Sequence, residues 1–273
     1  MDTLDDFSIK QKKYIPVFPK ASGKPTVYIK CYPFEDDEPM GATGFHSEQI
    51  TTFSDQLSRY FAIDPHIHIG VDNFIYYQEG DITKFVAPDI YVVFGVDKYP
   101  LRRSFYTWAE GAAPVAVFEF LSDSTAHHDR NQKVGLYLND IGVQEYYIHQ
   151  PEMDKRSEFS GWQLSPSREI VEMDKDAEGG IFSEVLNLWL RWEEHVETGV
   201  RLLRPSLPDE TPINTSIEEE SLRIQAENLH EEAEERMAAA EERMAKEIQR
   251  RKEMEEEIEQ LRMQLADAKK EYK

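Results

Sequence analysis

Apolar and polar positions change their period several times along the chain. Ile50, Phe53, Leu57, Tyr60 and Phe61 recur at helical spacing and predict an amphipathic helix across 45–62, ended by Pro65. The next segments are rich in β-branched and aromatic residues bounded by turn residues, which predicts strands. They are HIHIGVDNFIYYQ, with a bend at Gly70, then IYVVFGV after Pro88-Asp89, then PVAVFEFL after Gly111. The period returns to helical in DRNQKVGLYLNDIG, where Val134, Tyr137, Leu138 and Ile141 form one face and Gly142 is a natural stop. QEYYIHQ is another strand, closed by Pro151, and GWQLSP with REIVEM forms a hairpin. IFSEVLNLWLRWEE and GVRLLRP complete the set. A helix, three strands, a helix and a strand make the skeleton of an α/β sheet sandwiched by helices.

The pattern also divides the chain. Residues 1–43 are proline-punctuated and predict an extended N-terminal arm with one short strand, TVYIKCY. A globular part spans 44–205. Pro205, Pro208 and Pro212 mark a linker over 206–216. From Ile217 to the end there is neither glycine nor proline, and Glu, Ala, Arg, Lys, Met and Leu dominate, which predicts one long helix. Met237, Met244, Ile258 and Leu265 fall on one seven-residue series, and Met254 and Leu261 on a companion series. That is a coiled-coil seam, interrupted by Glu247 and Arg251, and it predicts a homo-oligomer joined through 217–273. The other reading is a solvated single helix held by pairs such as Glu232 with Arg236.

Composition narrows the classes. Among 273 residues the formal net charge is −22, which argues against a nucleic-acid coat protein, since phosphate binding needs clustered cations. It leaves room for enzymes that bridge acidic side chains to phosphate through a divalent cation. Cys31 is the one cysteine, so neither an internal disulfide nor a thiolate zinc site is available. With no basic-then-apolar leader and no apolar run near 18 residues, the expectation is a cytoplasmic protein that does not enter a membrane.

Three residues carry candidate chemistry. Asp89 opens a predicted buried strand. Glu119 interrupts the apolar run VAVFEFL, where strand alternation puts it on one face with Val117 and Leu121. A carboxylate there is costly unless it is paired, protonated or metal-bound, or unless it lies at a solvated strand end. Lys133 stands early in the following helix, and helical side chains tilt towards the N-terminus, back over Glu119 if Asp129 caps the helix. Alternatively it makes an i,i+4 pair with Asp129 on a solvated face. Two acids and a lysine at adjacent strand ends suit phosphodiester hydrolysis: hard oxygen ligands for Mg²⁺, and a cation to orient water or stabilise charge on phosphate.

Pro88-Asp89, then Glu119 to Thr125 (EFLSDST), Asp129, Lys133, Tyr137 and GVQEYYIHQP occur in order at compatible spacing. Over roughly 40–205 this resembles the putative restriction endonuclease family of the PD-(D/E)XK nuclease superfamily. The resemblance implies a restriction-endonuclease-like fold, with a mixed central sheet flanked by helices, and a Mg²⁺-dependent DNA endonuclease in which Mn²⁺ can substitute. It implies Asp89 and Glu119 as metal ligands, with the Phe120 carbonyl as a third. The superfamily lysine would stand at Leu121; Lys133 takes its role from the helix. Glu48 is implied as an outer acid. Asp123 stands where the family has proline, adding negative charge to the loop.

Other polar residues have plainer readings. His127 and His128 read as an exposed loop pair, and His66 with His68 lacks a third zinc ligand. His46 opens the first helix, as a surface or capping residue or as a contact to substrate phosphate. Ser122, Ser124 and Thr125 read as hydrogen bonders at a helix approach, since no glycine-flanked serine elbow is present. No glycine loop for a nucleoside triphosphate occurs. The competing function is a catalytically weak nuclease scaffold that recruits a partner through its coiled coil.

Overall fold

The computed structural model describes Ile29, Tyr32, Pro33, residues 43–122 and residues 126–271. Most of the expected arm and its strand TVYIKCY lie outside the described residues, as do Asp123, Ser124 and Thr125. The chain falls into two compact units, Met1–Ser216 and Ile217–Lys273.

The elements run α1 (Gly44–Tyr60), β1 (Ile67–Val71), β2 (Ile75–Tyr76), β3 (Phe85–Val86), β4 (Ile90–Phe94), β5 (Phe105–Tyr106) and α2 (Thr107–Glu110). They continue with β6 (Ala116–Phe120), α3 (Ala126–Gly135), a π-helical stretch (Leu136–Ile141), β7 (Glu145–His149), β8 (Phe159–Leu164) and β9 (Ile170–Glu172). The last are β10 (Ile181–Ser183), β11 (Leu188–His195), β12 (Val200–Ser206) and α4 (Ser216–Glu271).

A mixed six-stranded sheet in the order β1-β4-β6-β7-β8-β9 is central. β6 and β7 are parallel, and every other neighbouring pair is antiparallel. A parallel pair cannot be joined by a tight turn, so α3 and the π-helical stretch form the crossover. β6 is buried at all five positions because both faces are covered. Phe118 and Phe120 face α1, meeting Phe53 and Leu57, in a core that extends to Leu188, Leu190 and Leu203 of the β10-β11-β12 sheet. Val117 and Leu121 face the crossover, meeting Val134, Tyr137 and Leu138. Strand alternation therefore sends Glu119 to the crossover side.

Two boundaries differ from the expected ones for visible reasons. The segment 66–78 breaks at Asp72, which adopts φ 46°, rather than at Gly70, and its halves enter different sheets. Gly70 instead makes room for Tyr91: a Cβ there would come within 2.0 Å of that ring. The prolines near 205–212 do not form a free linker. Leu207 N–H donates to the Thr211 carbonyl at 2.9 Å, Ser206 bridges Pro212, and Leu207 and Ile213 pack on the core.

α4 is one helix of 56 residues. Met237, Met244, Met254, Ile258 and Leu261 are all exposed along it. Among the described residues no helix is long and apolar enough to cross a membrane.

Candidate functional site

β4 and β6 run side by side with Ile90 opposite Phe118. Asp89, one residue before β4, is thereby carried level with the Glu119–Phe120 end of β6. Its Oδ2 accepts the Phe120 backbone N–H at 2.5 Å. Its Oδ1 accepts from His46 Nε2 at 2.9 Å. His46 stands in the first turn of α1, whose N-cap Thr43 accepts the His46 N–H at 3.3 Å. Burial opposes charge on His46, but the Asp89 carboxylate, with Glu119 and Asp72 nearby, outweighs it and raises the imidazole pKa. Glu48, two residues on, is exposed. The α1 side chain at the site is thus His46, the residue for which a surface position was one reading.

Glu119 is 4% exposed. Its Oε1 accepts from Lys133 Nζ at 2.8 Å and from the Tyr137 hydroxyl at 2.7 Å. Lys133 also reaches Asp129 Oδ1 at 2.8 Å. Asp129 is fully buried and is the fourth residue of α3 rather than its cap. Lys133 and Tyr137 lie four residues apart and share the face turned to β6. Tyr137 is the second residue of the π-helical stretch, and π turns inside helices are frequent at functional positions. The Tyr146 hydroxyl donates to the Asp129 carbonyl at 3.0 Å, fixing α3 to β7 from below.

The electrostatics follow from counting. Asp89, Glu119 and Asp129 converge on one lysine and one histidine. Burial, with Asp89 and Asp129 adding to it against the pull of Lys133, pushes the Glu119 carboxyl up to about 8. Burial would lower the Lys133 pKa, but Glu119 and Asp129 outweigh it and raise it, so the ammonium stays charged. Burial and Glu119 raise Tyr137, which remains a donor.

The arrangement brings together Asp89, Glu119, Phe120 and Lys133, and adds His46, Asp129 and Tyr137. Among the described residues no group of three or more His, Cys, Asp or Glu side chains forms a metal cage. A hard cation here would draw on two carboxylates and main-chain oxygen, with water or phosphate completing the shell, which is how Mg²⁺ is held. The donor set fits. Each carboxylate has roughly four lone-pair positions and Asp89 uses two. Burial is the main cause of the raised Glu119 pKa, and a cation bound beside it would lower it.

No protein-family profile matches the chain, and no curated protein does. Among solved structures, one described as a "putative nuclease belonging to DUF820" from Anabaena variabilis ATCC 29413 is similar at 14% identity and a TM-score of 0.39. The match covers 54% of this chain and 76% of that one.

Proposed function

We propose that the protein is a metal-dependent endonuclease that hydrolyses DNA phosphodiester bonds. One observation supports this most: two acids at adjacent strand ends, coupled through the Phe120 N–H, with a charged lysine bonded to the second. Asp89, Glu119 and the Phe120 carbonyl would hold Mg²⁺ or Mn²⁺. The bound ion supplies an acidified water and a Lewis acid for phosphate. Lys133 spends two of its three N–H donors on Glu119 and Asp129, and its side chain is 21% exposed. The third donor is free to orient water or to stabilise charge on a phosphate oxygen. Asp129 positions that ammonium, and Tyr137 holds the Glu119 carboxylate it meets. The exposed seam of α4 supports self-association, which would bring two sites together for both strands of a duplex.

The test is full-length protein with Mg²⁺ or Mn²⁺ on plasmid and single-stranded DNA, beside Asp89→Ala and Lys133→Ala. Cleavage by wild type that both variants lose supports the reading; equal nicking by all three overturns it. For the tail, Met254→Glu/Ile258→Glu/Leu261→Glu in the full chain should lower the mass by light scattering. An unchanged mass refutes the seam.

A further inference from the structure

β6 and β7 end together, with Phe120 opposite His149, and β8 begins beside them at Phe159, opposite the same His149. Beyond these ends lies a cleft of about 840 Å³, lined by Ser122, Arg130, Lys155, Arg156, Glu158 and Lys175 among others. Ser122 is three residues past Glu119, and Arg130 follows Asp129, so the cleft adjoins the acid–lysine site. Its charge is opposite to that of the chain: four cations against one acid among its described lining residues, in a protein of net charge −22.

The four cations are differently engaged. Arg130 donates to Glu158 through three hydrogen bonds of 2.6 to 3.0 Å. That pair is 40% and 30% exposed, so a phosphate could reach Arg130 only by displacing Glu158 from it. Lys155 pairs with Glu152 at 3.1 Å. Arg156 and Lys175 are exposed and pair with no acid among the described residues. Adjacent strands lie about 4.8 Å apart, so β6 to β8 spans about 10 Å, the rise of about three nucleotides at 3.4 Å each.

We propose that this cleft is a phosphate track that holds a nucleic-acid strand on one side of the scissile bond, with Arg156 and Lys175 as its principal contacts. The proposal rests on the nuclease reading for its biological sense, but binding can be measured without cleavage. The probes are fluorescein-labelled single-stranded DNA and RNA of one sequence, titrated by anisotropy with full-length protein in EDTA at several salt concentrations. Arg156→Glu/Lys175→Glu should bind at least ten-fold more weakly. The salt slope of log K should fall by about 1.4, since each single-strand phosphate contact contributes about 0.7. A control with the same charge change on exposed residues away from the cleft, Arg103→Glu/Arg168→Glu, should bind like wild type. Unchanged affinity and slope in the cleft variant, or an equal loss in the control, overturns the track. Weaker binding by the cleft variant when wild type cleaves nothing upholds the track and removes the nuclease reading. Cleavage lost in Asp89→Ala while the cleft variant binds normally does the reverse. Comparing the two probes tells whether the strand it prefers is DNA or RNA.

Discussion

Replacing Lys133 by Met tests the electrostatic core of the site through stability alone. The substitution keeps the aliphatic stem and removes the charge that reaches Glu119 and Asp129, each at 2.8 Å. At pH 7 Glu119, at about 8, is mostly protonated and tolerates the loss. Asp129 has a side chain only 1% exposed and is left as an uncompensated buried acid. Breaking a buried pair in this way costs about 3–5 kcal/mol, and the 21% exposure of Lys133 points to about 3 kcal/mol. For a unit of this size that is a fall of about 6–12 °C in Tm. The pH dependence has a defined sign. The folded Glu119 value is raised above 4.5, so stability falls as pH rises from 4.5 to about 8 and then levels off in the wild type. The contribution of Lys133, whose folded value is also raised, stays intact across that window. Without the ammonium Glu119 keeps its proton to higher pH, so the variant goes on losing stability above pH 8, by up to about 1.4 kcal/mol per unit. Urea melts at pH 7, 8 and 9 measure the gap. Adding Asp129→Asn should restore at least half of the loss, by a double-mutant cycle. A loss below about 1 kcal/mol, a gap that does not widen above pH 8, or additive effects of the two substitutions would refute the reasoning.

Three further outcomes follow from the scaffold. Gly70→Ala should destabilise by about 1–3 kcal/mol, because its Cβ meets the Tyr91 ring, and Tyr91→Leu in the same chain should relieve the clash in thermal melts. Arg102 grips Glu110 with two bonds of 2.7 Å, both side chains fully buried, so Arg102→Met should cost about 3–5 kcal/mol in denaturant titrations. Burial lowers the His149 pKa to about 4, so its stabilising contribution is whole above pH 6.5 and is lost as pH falls towards 4. His149→Gln should therefore lose up to about 3 kcal/mol less than wild type between pH 7 and 4 in urea titrations.

What the sequence reveals depends on how local the cause is. The run VAVFEFL announces a strand because alternation and burial are written in consecutive residues. The reach of Lys133 back to β6 follows from helix geometry, and Tyr137 was equally legible: four residues on, it shares that face. The π-helical stretch was not, since Val134, Tyr137, Leu138 and Ile141 satisfy an α-helical period equally well. His46 at Asp89 depends on where the start of α1 meets the ends of β4 and β6, a contact across 43 residues with no local signature. The break at Asp72 was hidden because Gly70 is the stronger turn signal, and its real function, space for Tyr91, belongs to the neighbouring strand.

The tether between Asp89 and the Phe120 N–H has a consequence for how the site can vary. The donor is main chain, so side-chain exchange at position 120 can alter the ring contacts with Phe53 and His149 but leaves the tether's donor in place. Only proline lacks that N–H. The donor that links the two acids is thus written into the polypeptide rather than into the residue, so what constrains position 120 is packing and not the tether. In a library at 120, every member but proline should keep the tether's donor, and stability should follow how well each side chain fills the buried space against Phe53 and His149.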